Sequence, residues 1–226
     1  MCGRYTLKAT GAEVAEVFGL DDVPDLTPRY NIAPTQVVPI VRRAPGGAHR
    51  ELARARFGLL PFWAGKERPR ASMINARCET VFSRPAFRTA ARERRCLVPA
   101  DGFFEWRREG RRKAPWYFRL REGRAFAFAG LWERARGPDG EPIESFSILT
   151  TVPNDLVREV HDRMPVILAP EQHALWLDPA LCDEAALRPL FAPYSAEAMV
   201  GYPVGSRVNS PANDDPDCIA ERKTLW

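Results

Sequence analysis

The sequence predicts an α+β fold: a single domain over residues 1–226, built on a mostly antiparallel, barrel-like β-sheet with short flanking helices. Three observations predict it. Apolar and β-branched runs are short and numerous, and the helical segments between them are equally short. The two kinds of segment never alternate in the strand–helix–strand rhythm that a parallel sheet needs. Twenty-one prolines cut the chain into brief elements, and no internal repeat or low-complexity linker divides it.

Taken in order, Thr10-Gly11-Ala12-Glu13 is a capping box followed by Val14, Val17 and Phe18 at helical spacing. Val37–Val41 is β-branched but interrupted by Pro39, which predicts an edge or bulged strand. Leu52–Leu60 alternates and then runs apolar, as a strand does. Ser83 caps a short helix reaching Arg92. Trp116–Leu120 and Ala125–Trp132 flank a Glu-Gly turn and read as a hairpin. Ser145–Thr151 is a strand, Asn154–His161 a short helix, and Pro165–Leu168 a strand. Pro170–Leu177 and Asp183–Phe191 read as helical.

Composition bounds the function. With 226 residues, 45% hydrophobic and 27% charged, the chain is that of an ordinary globular protein. A chain of this length buries roughly 70–75% of its unfolded surface and needs no disulfide or metal staple. No stretch approaches the ~18 apolar residues of a membrane span, and the N-terminus has no apolar signal region. The five cysteines are widely spaced with no Cys-x-x-Cys pair. Three scattered histidines have no carboxylate at ligand spacing. These features predict a cytoplasmic protein without metal, cofactor or membrane contact.

Charge is unevenly spread. The net formal charge is +4, but residues 1–41 carry −2, residues 42–124 carry +14 and residues 125–226 carry −8. A basic middle third suits a polyanion. Of the 33 basic residues 29 are arginine, as a GC-rich genome would also produce. Arg107, Arg108, Arg111 and Arg112 around Gly110 read as a solvated hairpin turn, not a binding site.

Four residues can carry chemistry. Cys2 would head the chain once the initiator Met is removed, as it usually is before a small residue. Its α-amine (about 7.7–8.0) and thiol (about 8.5) are both partly available near neutrality. Together they can condense with an aldehyde to an imine and then close a five-membered thiazolidine; a cysteine at position 2 can also be chance. His161, at a helix end before a strand, suits proton transfer or simply caps the helix. Glu105, between Phe104 and Trp106, is either desolvated with a raised pKa or turned outward by strand alternation. Asn75 can orient a reactant through its amide or serve a turn. His49 and His173 read as surface residues.

These segments resemble the SOS-response-associated peptidase family, abasic-site processing proteins that act on single-stranded DNA. The matching blocks are Met1–Tyr5, Arg29–Pro34, Phe57–Trp63, Ile74–Thr80, Arg95–Trp106, Ser147–Thr151, His161–Pro165 and Arg207–Asn209, in family order. The resemblance implies that Cys2 bonds covalently to the ring-opened aldehyde of an abasic site. By the same resemblance Asn75 positions the N-terminus, Glu105 is the acid/base, and His161 promotes opening of the sugar ring, with Thr150 in support. Arg4, Arg77, Arg84 and Arg163 would contact phosphates, and Pro34, Phe62 and Trp63 would wedge against the bases beside the lesion. Implied partners are abasic single-stranded DNA and proteins of the replication fork, with the chain a monomer. The alternatives are a thiol peptidase using Cys2, His161 and Asn75, with self-removal of Met1, and a non-covalent binder of single-stranded nucleic acid. An imine at the sugar also permits a lyase side reaction.

Overall fold

The computed structural model describes residues 2–63, 73–137 and 139–222. In chain order the strands are β1 (Arg4–Leu7), β2 (Arg29–Ile32), β3 (Val37–Arg43), β4 (Arg50–Phe57), β5 (Asn75–Arg77), β6 (Arg95–Ala100), β7 (Gly102–Glu109), β8 (Arg112–Leu120), β9 (Phe126–Arg136), β10 (Pro142–Thr151), β11 (Met164–Pro165), β12 (Ile167–Leu168) and β13 (Met199–Pro203). The helices are α1 (Gly11–Phe18), α2 (Arg88–Glu93), α3 (Asp155–Arg158), α4 (His173–Leu177) and α5 (Glu184–Leu187), with short 3-10 turns among them.

Among the described residues the strands form two sheets. One runs β13-β8-β7-β1-β2, and the other β11-β10-β4-β3-β6-β9-β12. In the second, β5 adds to β10, and β9 also pairs with β10 and curls the sheet. Among the described residues only the pairings of β10 with β4 and with β5 are parallel. The architecture is the α+β, mostly antiparallel and barrel-like one that the sequence predicts, without a closed barrel.

The main core lies where the sheets face each other. Tyr5 of the first sheet meets Phe57 and Phe128 of the second edge-on, with ring centroids 5.7 and 5.8 Å apart. Phe103 stacks on Phe118 at 5.2 Å and meets Phe128 at 6.1 Å. Each fully buried aromatic of this kind contributes roughly 2–3 kcal/mol. A smaller cluster of Phe104, Tyr117, Val204, Val208 and Cys218 covers the other face of the first sheet. Strand alternation therefore sends Phe103 to the main core and Phe104 to the second. Glu105, two residues after Phe103, returns to the inter-sheet side.

β1 is an interior strand, held in register by polar contacts. Asp101 accepts from Thr6 Oγ1 (2.5 Å), Lys8 N (2.5 Å) and Ala9 N (2.8 Å), and Thr6 Oγ1 lies 2.9 Å from the Tyr117 hydroxyl. Gly102 makes room for that hydroxyl, because a Cβ there would sit 2.1 Å from it.

Local expectations fare unevenly. Thr10 Oγ1 caps α1 by accepting from Glu13 N, but the Glu13 carboxylate accepts from Ala125 N, so the reciprocal half of the box is replaced by a tertiary contact. β3 is not an edge strand: it pairs with β4 throughout, and with β6 at Val41, two residues beyond Pro39. Ser83 does not cap α2; its hydroxyl donates to Thr80 O, and Phe87 occupies the cap position. β8 and β9 do not form a hairpin. β8 pairs with β7 and β13, whereas β9 pairs with β6, β10 and β12 in the other sheet. The stretch read as one strand over 165–168 splits into β11 and β12 on different partners. His173 is not on the surface. It is fully buried and stacked on Phe18 at 5.5 Å, and burial pushes its pKa down to about 4.

Candidate functional site

Cys2 precedes β1, and the pairing of β1 with β7 (Arg4 opposite Phe104, Tyr5 opposite Phe103) carries it toward Glu105. β5 places Asn75 beside Ile148 of β10. The turn after α3 delivers His161 from the opposite side.

Asn75 Nδ2 donates to the Cys2 carbonyl at 3.1 Å. The Cys2 thiol is fully buried and its Sγ lies 3.9 Å from Arg4 O. Burial pushes its pKa well up, and the neighbouring Glu105 charge adds to the rise. Glu105 itself is 2% exposed, and burial pushes its pKa up to about 7. Of the two orientations open in the sequence, the inward, desolvated one is found. His161 Nε2 lies 3.9 Å from Glu105 Oε2. The structure thus brings Asn75, Cys2, Glu105 and His161 into one chain of contacts.

The ring of His161 is oriented from behind. Arg163 N donates to its Nδ1 at 3.0 Å and Arg163 O lies 3.3 Å from the same nitrogen; the shorter bond favours Nδ1 as acceptor, with the proton of the neutral ring on Nε2, the nitrogen facing Glu105. Burial lowers the His161 pKa and favours that neutral form. Asp162 Oδ1, 3.0 Å from Nδ1, stands ready for the protonated ring. Arg163 is fixed in turn: its guanidinium grips Glu79 through two bonds (2.5 and 2.9 Å) and donates to Thr150 O at 2.6 Å. That bond holds Glu79 below the usual carboxylate range.

The other residues singled out in the sequence fall into three groups. Arg77 and Arg84 are exposed, and Phe62 and Trp63 are large apolar side chains more than half exposed. Pro34 is half-buried and precedes Thr35, whose φ of 76° is left-handed and held by Thr35 N donating to Phe57 O. Arg4, Arg163 and Thr150 are engaged inside the protein. Arg4 donates to Asn31 Oδ1 (2.9 Å), Val208 O (2.7 Å) and Asn209 O (3.3 Å). Thr150 is fully buried, its carbonyl bridging Arg163 and Cys78 N. Met1, whose removal the sequence reading requires, lies outside the described residues.

Sequence reasoning missed three supports. Glu79 fixes Arg163. Asn209 accepts from Trp106 Nε1 at 2.8 Å while its carbonyl accepts from Arg4. Asp214 accepts from Tyr30 N and Asn31 N at 2.5 and 2.8 Å. Glu79 and Asn209 carried a signal, since both fall inside blocks already singled out; Asp214 did not, and it meets Tyr30 and Asn31 across more than 180 residues of chain. Among the described residues no three His, Cys, Asp or Glu side chains gather as metal ligands, and no helix is long and apolar enough to cross a membrane.

Fold and site define a two-sheet protein that presents a cysteine ahead of its first strand to a buried acid and a histidine. The family model described as SOS response associated peptidase (SRAP) matches residues 1–211, and the chain belongs to that family. It is similar to the abasic site processing protein YoqW of Bacillus subtilis, 42% identical over 224 residues covering 97% of this chain and 99% of the relative. It is also similar to the abasic site processing protein YedK of Escherichia coli, 31% identical over 188 residues covering 78% and 79%. A crystal structure of a protein from Bacteroides thetaiotaomicron superposes with a TM-score of 0.82 at 29% identity, over 98% of this chain and all of the other.

Proposed function

We propose that this chain processes abasic sites in DNA by capturing them covalently in single strands through Cys2, once Met1 is removed. The observation that carries the reading is the grouping of Cys2, held by Asn75 through its carbonyl, with a carboxyl group whose pKa stands at about 7. The names of the relatives supply the substrate class.

The chemistry follows from the groups present. With the proton that Glu105 and His161 share placed on His161, the imidazolium Nε2–H protonates the sugar ring oxygen while ionised Glu105 takes the proton of the C1′ hydroxyl, and the ring opens to an aldehyde. The Cys2 amine adds to C1′, and Glu105 moves the protons that expel water and leave an imine. The thiol then adds to the same carbon: a C–S bond forms and the thiol proton passes to nitrogen. One water is lost overall and no bond in the strand is cut.

A group with a pKa near neutrality both gives and takes protons at modest driving force, which this sequence of steps requires. The buried thiol suits it too. A peptidase thiol attacks as a thiolate paired with a histidine, and such sites lower the thiol pKa. Here burial raises it, and the His161 Nε2 is directed at Glu105. Because an abasic nucleotide has no base to unstack, its sugar enters a narrow site readily. Exposed Phe62 and Trp63 supply stacking surface for neighbouring bases, and Arg77 and Arg84 supply charge for phosphates.

The test is incubation of the processed protein with a single-stranded oligonucleotide carrying one abasic site. A denaturation-resistant protein–DNA adduct that disappears in Cys2→Ala is expected. Its absence in the wild type, or its persistence in the variant, overturns the reading.

A further inference from the structure

We propose that the basic β7–β8 hairpin is an arm that grips the phosphates of the single strand running away from the site. The inference rests on the reading of the chain as a binder of single-stranded DNA and adds where that strand goes.

The hairpin grows directly out of the site. Glu105 pairs with Trp116, and the ladder continues through Arg107 with Ala114, Arg108 with Lys113 and Glu109 with Arg112. At about 3.3 Å per residue, the cations begin roughly 7 Å beyond Glu105 and the turn lies roughly 15 Å beyond it. Gly110, at φ 61°, closes the turn. Residues 108–113 are all exposed.

This hairpin concentrates charge without partners in a few consecutive residues. Several arginines elsewhere are paired: Arg29 with Asp214, Arg42 with Glu51 and Glu144, Arg94 with Glu133, Arg163 with Glu79, Arg207 with Asp215. Arg95, though buried, donates to four backbone carbonyls. On the hairpin one carboxylate, Glu109, accompanies five cations, and it is taken by Arg107 at 2.5 Å. Arg108, Arg111, Arg112 and Lys113 have no ion-pair partner among the described residues. An arginine-rich genome explains the residue type, but not unpaired cations concentrated on one arm beside the acid/base.

Two further features point to a nucleic-acid strand. On the Glu105 face, the Arg107 guanidinium lies 4.9 Å over the Trp116 ring, and Trp116 stacks on Phe118 at 6.5 Å. This places a flat cation on an aromatic column next to the reacting groups, the pairing that single-strand grooves use. The arm also faces the site electrostatically, since the Lys113 charge contributes to the lowered His161 pKa. A polyanion lying along the arm would therefore be within reach of both.

The test combines Arg108→Gln, Arg111→Gln, Arg112→Gln and Lys113→Gln in one chain, all at exposed positions. Binding to a 20-nucleotide single strand bearing a central, non-reactive tetrahydrofuran analogue is measured by anisotropy across salt concentrations. Each lost phosphate contact on a single strand lowers the slope of log K against log salt by about 0.7. We expect a slope shallower by about 1.5 and about tenfold weaker binding at low salt. The companion Arg108→Lys, Arg111→Lys, Arg112→Lys variant should keep the wild-type slope. With a dinucleotide bearing the analogue, too short to run along the arm, the glutamine variant should bind within twofold of wild type. An unchanged slope overturns the proposal, as does an equal loss on the long and short strands. Because the analogue cannot form an adduct, failure of covalent capture would show in the abasic oligonucleotide experiment and leave this measurement standing.

Discussion

Asp101 and Glu105 are buried carboxylates four residues apart, 1% and 2% exposed, one just before β7 and the other in its middle. Asp101 is surrounded by donors from β1 and the loop after it, and Lys8 Nζ lies 3.7 Å away. Glu105 lies on the inter-sheet face near Cys2 and His161, where burial raises its pKa to about 7. Equal burial thus serves opposite ends. Donors that satisfy a carboxylate make it a fastener, whereas burial that penalises its charge suits it to the proton transfer proposed for Glu105.

The sharpest way to break this contrast is to neutralise each in turn. Glu105→Gln should slow adduct formation by about 10²–10⁴-fold, the usual range for loss of a general acid/base, while leaving thermal unfolding within a few degrees of wild type. A normal rate in that variant would remove Glu105 from the chemistry. Asp101→Asn turns amide hydrogens toward the Lys8 and Ala9 donors and should lose about 3 kcal/mol in denaturant unfolding. The adduct rate per folded molecule should be retained. A stable Asp101→Asn protein would show that the donors are not what holds β1.

The pH profile sharpens the contrast further. If ionised Glu105 accepts the proton of the Cys2 ammonium, the adduct rate should rise with pH through about 7, and Glu105→Gln should lose that inflection while keeping one from the amine at about 8. His173 belongs on the fastening side. Its folded pKa is about 4, below the ordinary 6.5, so the unfolded chain binds more protons between those values. Its contribution is present above about 6.5 and is lost as pH falls toward 4. His173→Leu should flatten that acid limb in Tm against pH without altering the adduct rate at neutrality. The smallest effect is expected from Glu79→Gln. Loosening the Arg163 backbone that fixes the His161 tautomer should reduce the rate about threefold and shift its pH dependence, which a purely structural role for Glu79 would leave in place.

How far the sequence foretold this depends on the range of the forces involved. Short elements punctuated by proline and glycine identified the α+β class, and the positions of Cys2, Asn75, Glu105 and His161 stood out in their motifs. Which way Glu105 points was undecidable locally, because alternation allows either face until the second sheet is present. The Glu122-Gly123 turn is real, with Gly123 at φ 73°, but a turn does not choose partners, and the strands on its two sides enter different sheets. His173 misled because the amphipathic stripe around it does not reveal that Phe18, 155 residues earlier, stacks on its ring. Pro39 tolerates an interior strand because β6 joins β3 only at Val41.

The seating of β1 has a practical side. Arg4 is clasped by Asn31 and by carbonyls of residues 208 and 209, so the head of the chain is threaded through the middle of a sheet and tied down by its far end. A purification handle fused upstream of Cys2 would cap the very amine under study. Preparations for any of these assays should carry their handle at the other end of the chain, after Trp226.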